Sequence, residues 1–301
     1  MKKSLIALAV AGALTAPMVA QADATLYGSL RVKVVDEDNK TLDVADNASR
    51  VGIKGSSELF SGATAFFQSE FKVDSGDTGN VGAGRLALIG ATGSLGTVTI
   101  GRQWTPAYLW TAGKVDILDH GSNPTHDYSI AGRQGGTVSY VTPDLAGLKL
   151  AAVVIADGAA ESATQDDVDA YNVAAHYSIG GFAVGLSHIG LESGVDKDYN
   201  ELAVSYTMGD LYLAADVSEN ETLAANKQDQ WEVVGSYTIG NTTLLANYVD
   251  FDNSASQVAV EVQQKLGNQA RVFATVVAAD SDAEAQGDVA DSVAVGYRVN
   301  F

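Results

Sequence analysis

The sequence predicts an all-β fold: a transmembrane, antiparallel, up-and-down β-barrel of about sixteen strands. Alternation of apolar and polar residues runs through almost the whole chain, and helical spacing is nearly absent. Connections alternate in length, with short ones such as "GSLG", "IGG", "MGD" and "IGN" between long acidic ones such as "VDEDNKTLDVADN" and "SENETLAANKQDQ". With 4 prolines, 31 glycines and many Val, Thr and Tyr, the composition favours strands and turns.

The N-terminus is a separate element. "MKKSLIALAVAGALTAPMVAQADATLYG" sets Lys2 and Lys3 before an apolar run from Leu5 to Ala13, then Pro17 and the small-residue site Ala20-Gln21-Ala22. That order is the order of a secretory signal peptide, and the run is too short and interrupted for an anchor. Residues 1–22 are therefore expected to be removed, leaving 23–301 as a single barrel domain. The remaining 279 residues carry 16 basic against 37 acidic side chains, a net charge of −21. So acidic a chain lacks the basic patch that nucleic acid requires. Without cysteine there is no disulfide and no Cys-based zinc site.

The strands follow in order. "TLYGSLRVKV" puts Leu26, Gly28, Leu30, Val32 and Val34 on one face, opposite Ser29, Arg31 and Lys33. Val51 and Ile53 oppose Arg50 and Lys54; Phe67, Phe71 and Val73 oppose Gln68, Glu70 and Lys72; Leu86 and Leu88 oppose Arg85. The pattern returns in "YNVAAHY", "NELAVSYT", "LYLAADV", "WEVVGSY" and "QVAVEVQQ", and more noisily at 97–101, 137–141, 148–155, 182–189, 243–250 and 270–278. The chain closes on "YRVNF", where Tyr297, Val299 and Phe301 alternate with Arg298 and Asn300.

A soluble secreted β-sandwich shows the same alternation, so periodicity leaves both folds open. Two features favour the barrel. Aromatics near segment ends (Tyr27, Phe71, Tyr177, Tyr206, Trp231, Tyr237, Tyr297, Phe301) suit interfacial girdles. Ionised groups near mid-strand (Arg50, Glu70, Arg85, Asp216) suit a water-filled lumen and not a sealed core. Sixteen strands are enough to enclose water, and closure removes the edge that hydrocarbon forbids.

Over nearly its whole mature length the chain resembles the general trimeric porins of Gram-negative bacteria. "ATLYGSLRV" is similar to their first strand, and "SRVGIKGSSELFSGATAFFQSEF" to the second and third. "GRLALIGATGSLGTVTIGRQWTP" resembles the pair that precedes an inward-folded third loop, and "GGTVSYVTPDLAGLKLAAV" the next hairpin. "VAVGYRVNF" resembles their C-terminal strand. Here the constriction loop would span about 103–132, too long for an ordinary hairpin connection. The resemblance implies loop acids, Asp116 and Asp119, facing a basic wall of Arg50, Arg85 and Arg133, with Arg31, Lys33 and Lys54 nearby on polar parity. A lysine found in the first strand of some members is Ser29 here. "VDILDHGSNPTHD" replaces the "PEFGG" of many third loops.

The same resemblance implies a homotrimer among outer-membrane lipids and lipopolysaccharide in the outer membrane of a Gram-negative bacterium. Tyr297, Val299 and Phe301 would be the signal read by periplasmic chaperones and the barrel assembly machinery. The expected activity is passive diffusion of small hydrophilic solutes and ions. Net charge suggests weak cation preference. A substrate-selective channel is the alternative. His120 and His126 lack supporting ligands, so no metal and no cofactor is assigned, and no catalytic motif is present.

Overall fold

The computed structural model describes residues 23–60, 62–122, 126–156, 158, 167–192, 197–223, 228–251, 255–286 and 290–301. The expected signal peptide, 1–22, lies outside the described residues. The strands are β1 (Asp23–Glu37), β2 (Asp43–Asp46), β3 (Arg50–Phe60), β4 (Ala63–Val73), β5 (Val81–Gly93) and β6 (Gly96–Trp104). Then come β7 (Arg133–Gln134), β8 (Thr137–Val141), β9 (Leu148–Ile155), β10 (Ala170–Ile179), β11 (Phe182–Leu191) and β12 (Lys197–Met208). The last are β13 (Leu211–Asn220), β14 (Asp229–Ile239), β15 (Thr242–Asp250), β16 (Ser256–Lys265), β17 (Ala270–Ala279) and β18 (Ser292–Asn300).

Every spanning pair is antiparallel, and all but the closing pair join successive wall strands. β2 is a short addition to β1 in the first long loop, and β7 a two-residue addition to β6, so sixteen strands form the wall. The ring closes between β18 and β1, with Leu30 opposite Val299 and Val34 opposite Val295. Beyond the last pair, the N–H of Gly28 donates to the carbonyl of Phe301 at 2.9 Å and the N–H of Phe301 to that of Gly28 at 3.1 Å. Each of the sixteen described wall strands is thus paired on both sides, as a hydrocarbon-embedded sheet requires. No helix among the described residues is long and apolar enough to cross a membrane; the strands span it.

Burial separates the barrel from the sandwich. Outward-facing Val260 and Val295 are 52% and 55% exposed, whereas inward-facing Glu261 is 0% exposed. A water-soluble fold would reverse that distribution; a hydrocarbon-facing wall requires it. Tyr177, Tyr206 and Tyr237 each lie two residues before the end of their strands, on the rim of short turns where Phe301 also sits. Toward the other rim Trp231 packs on Tyr248, with ring centroids 5.1 Å apart.

Three sequence expectations change. Tyr27 faces inward: its hydroxyl donates to Glu70 Oε2 (3.1 Å), and its ring fills the space beside Gly52. It belongs to the lumen and not to a girdle. Leu86 and Leu88 share the inward face with Glu70 and Gln68, while Ala87 and Ile89 face out. The cause is a register shift opposite Glu70 and Phe71, where Arg85 is the extra residue. Arg85 thus reaches the lumen through a bulge that re-aims one side chain, and simple parity mislabels its neighbours. The long internal loop is 105–132, because Gln103 and Trp104 still belong to β6.

Candidate functional site

The loop is built to stop being a strand. Thr105 accepts a hydrogen bond from the N–H of Tyr108 and Pro106 sits at the first helical position, so a short helix, Pro106–Trp110, starts at once. A 3-10 turn at Ala112–Lys114 follows. Asp127 caps the turn Tyr128–Gly132, which returns the chain to β7. Apolar loop residues Val115 and Leu118 pack on Ala214, Val234, Leu245, Ala259 and Val277 of the inner wall. The loop therefore lies inside the barrel against β13–β17.

Polar anchors fix its height. Asn172 Oδ1 accepts from the N–H of Ala107, Thr111 Oγ1 donates to Glu201 Oε2 at 2.5 Å, and Tyr212 donates to the carbonyl of Lys114. Glu261 receives the N–H groups of Asp119 and His120 at 2.9 and 3.2 Å; Asn247 and Gln257 both donate to the carbonyl of Gly121. At Gly185 the loop touches backbone to backbone, and a Cβ there would stand 1.8 Å from the carbonyl oxygen of Trp110. Gly185→Val should force the loop off the wall and raise single-channel conductance while strand content, read by circular dichroism, is unchanged. Unaltered conductance would refute this docking.

The two loop histidines point to different walls. Lys33 Nζ donates to His120 Nδ1 at 3.0 Å, so His120 carries its proton on Nε2 and gives it to Ser292 Oγ, also at 3.0 Å. His126 Nδ1 lies 3.2 Å from Glu201 Oε1, within the group formed by Tyr199 and Asp216. Burial, aided at His120 by the Lys33 charge, pushes both imidazoles down to about 4. A histidine held neutral stabilises the docked loop fully above its free value near 6.5, and that stability is lost as pH falls from there toward 4. For His126 the loss reaches about 3 kcal/mol. Acidification through this window should increase current fluctuation, and the increase should shrink in His126→Gln; equal behaviour of both proteins refutes the role.

Between the loop and the facing wall lies a cavity of about 460 Å³. It is lined by Arg31, Arg50, Arg85, Arg133, Arg271 and Arg298 and, from the loop, by Asp116 and Asp119. Register explains the density of charge: Arg298 lies directly opposite Arg31 on one side and Arg271 on the other. Like charges placed opposite one another in a sheet are destabilising, and Asp119 offsets them, with Oδ1 2.6 Å from Arg271 and 4.0 Å from Arg298. Asp116 accepts from Tyr108 (2.7 Å) and Tyr128 (3.2 Å); burial and the Asp116 charge raise the Tyr108 hydroxyl above its ordinary value. Arg85 donates to Glu70 at 2.7 Å, and Arg133 lies over the Trp104 ring, 4.4 Å from its centroid.

The structure brings together six of the expected residues: Arg31, Arg50, Arg85, Arg133, Asp116 and Asp119. Lys33 is diverted to His120. Lys54 is exposed, 5.4 Å from the Tyr27 ring, and lies off the cavity toward the short-turn rim. Arg133 ends the loop in β7 and is not part of the spanning wall. Sequence reasoning missed Arg271 and Arg298 as members of the cluster, although Arg298 stood on polar parity in "YRVNF". It also missed Tyr108, Tyr128 and Trp104. Tyr297 and Val299 share the outward face, with the Phe301 ring lying over Gly28.

A closed barrel with an apolar outer wall and a charged, narrowed inner passage is a transmembrane channel. The chain belongs to the Gram-negative porin family, whose profile matches residues 7–284. The major outer membrane protein P.IB of Neisseria meningitidis (serogroup B / serotype 15, strain H44/76) is 27% identical, with 100% of both chains covered. Salmonella typhi OmpF in complex with daunomycin superposes with a TM-score of 0.77 at 18% identity, over 92% of this chain and 97% of that one. In-vitro folded OmpT of Vibrio cholerae, in its trimer form, gives 0.70 at 18% identity over 93% and 99%. The protein is a porin of the outer membrane of a Gram-negative bacterium.

Proposed function

We propose that the protein is a general diffusion channel, passing small hydrophilic solutes and ions through the bore without catalysis. One observation carries this: loop acids Asp116 and Asp119 face six arginines across a single polar cavity. Opposed charges across a narrow bore set up a transverse field that favours small polar solutes over apolar ones. The net charge of −21 suggests cation preference, but six guanidiniums against two loop carboxylates, with Glu70 behind Arg85, line the cavity between loop and wall. We therefore assign the constriction a preference for anions. Zero-current potentials across a KCl gradient read the sign, and a cation-selective result restores the expectation from net charge.

The same proposal includes export by the 1–22 signal peptide, recognition of Tyr297, Val299 and Phe301 by chaperones and the barrel assembly machinery, and a homotrimer embedded in lipid and lipopolysaccharide. The trimer rests on the form in which the Vibrio cholerae relative was solved. Planar-bilayer recording of detergent-purified protein should show conductance in steps of three. Absence of conductance would overturn the channel.

A further inference from the structure

The constriction holds more positive charge than its own carboxylates match. Of the six lining arginines, Arg85 is bound to Glu70 and Arg271 to Asp119, with Arg298 at the edge of that pair. Arg31, Arg50 and Arg133 have no ion pair among the described residues. Two of them are held in place: Arg31 Nε donates to Ser29 Oγ at 2.9 Å and Arg133 lies over the Trp104 ring, while Arg50 stands beside them on β3 with Ser29 opposite. The Nε atoms of Arg50 and Arg133 are buried and meet no acceptor among the described residues. Guanidiniums that are desolvated, pre-oriented and unmatched are costly by themselves and become favourable when an oxyanion supplies the missing acceptors.

We propose that the constriction is a binding site for small oxyanions of two or more charges, of the phosphate-ester and pyrophosphate class, held between Arg31, Arg50 and Arg133. The site deepens the diffusion-channel proposal and rests on it. Multivalent anions are favoured over chloride for two reasons. The lining exceeds its three nearby carboxylates by three positive charges, and each guanidinium fork donates to two oxygens in one plane. Trp104 does not offer a stacking face for a ring, because Arg133 covers it and Tyr108 stacks on it at 3.9 Å. The recognised part of the ligand is therefore the charged group.

The test uses the full protein in planar bilayers with KCl on both sides and sodium pyrophosphate added to one. Saturable block is expected, roughly tenfold weaker in Arg50→Gln/Arg133→Gln, because each loses a charge-assisted bidentate contact. Lys54→Gln, which removes a lumen charge off the cavity, should leave the block unchanged. Block that never saturates, that survives the double variant, or that weakens equally in Lys54→Gln overturns the site. Sucrose blocking as well as pyrophosphate also overturns it. Loss of KCl conductance in the unmodified protein would instead overturn the channel, so the two failures are distinct. If the double variant makes no channels, Arg50→Lys is the second arm: it keeps the charge and loses the fork, and must still weaken pyrophosphate more than chloride.

Discussion

A chain ending at Asn300 should appear folded in the outer membrane at a yield lower by on the order of tenfold, beyond what lost contacts explain. The contacts are modest. Phe301 closes the last backbone pair with Gly28 and lays its ring where a Cβ on Gly28 would come within 2.4 Å. Two hydrogen bonds at about 1 kcal/mol each and a half-exposed ring worth about 1–2 kcal/mol are small beside the backbone pairing of sixteen strands. The equilibrium cost alone would leave the barrel closed by the remaining β1–β18 pairs, from Ser29↔Asn300 to Glu37↔Ser292. A larger deficit in cells must therefore lie in delivery. Comparing surface yield in cells with refolding into detergent micelles separates the two: deletion should be severe in cells and mild in micelles. Phe301→Tyr, which keeps an interfacial aromatic, should recover most of the yield. Equal deficits in cells and micelles would mean that Phe301 acts only through closure, and unaffected surface yield would remove the assembly role altogether.

The wall was legible from sequence because hydrocarbon imposes period-two alternation on each strand, and the short turns fall where "GSLG", "IGG", "MGD" and "IGN" place them. The alternation became noisy for physical reasons. β17 presents Phe273, Thr275 and Val277 inward, yet Phe273 and Val277 are apolar because they pack within the barrel, Val277 beneath the internal loop. A strand that is oily on both faces loses its parity signal, and Arg271 on it went unrecognised. Bulges erase parity differently: Arg85 is inward only because β5 carries an extra residue, which no count along the chain reveals. Tyr27 shows that an aromatic near a strand end is not a girdle residue when a glycine opposite, Gly52, leaves room for it inside. The loop acids were legible as types, but their partners depend on where the loop rests. That height is set by wall groups such as Asn172, Glu201 and Glu261, which lie far from it in sequence.

Glu261→Ala should release the middle of the loop and produce a larger effect on permeation than any single substitution in the arginine cluster. Glu261 is fully buried and accepts four groups: the N–H of Asp119, the N–H of His120, the hydroxyl of Thr275 at 2.6 Å and the amide of Gln263 at 2.6 Å. Removing the carboxylate strands two loop N–H groups against the wall at about 1–3 kcal/mol each. Val115 and Leu118 still hold the neighbouring stretch through their apolar contacts, so the wall is expected to stay intact while Asp119 leaves its station. Arg271 then loses its 2.6 Å partner, and the cavity gains one unmatched charge while widening. Two readouts should move together: single-channel conductance rises, and zero-current potentials in a KCl gradient shift further toward anions. Glu261→Gln keeps one carbonyl acceptor for the loop and should fall between the two. Opposite movement of conductance and selectivity would mean that Asp119 is positioned by Arg271 and Arg298 alone. If neither changed, the anchor would have no part in setting the passage, and the loop's apolar contacts would suffice to hold its charged edge in place.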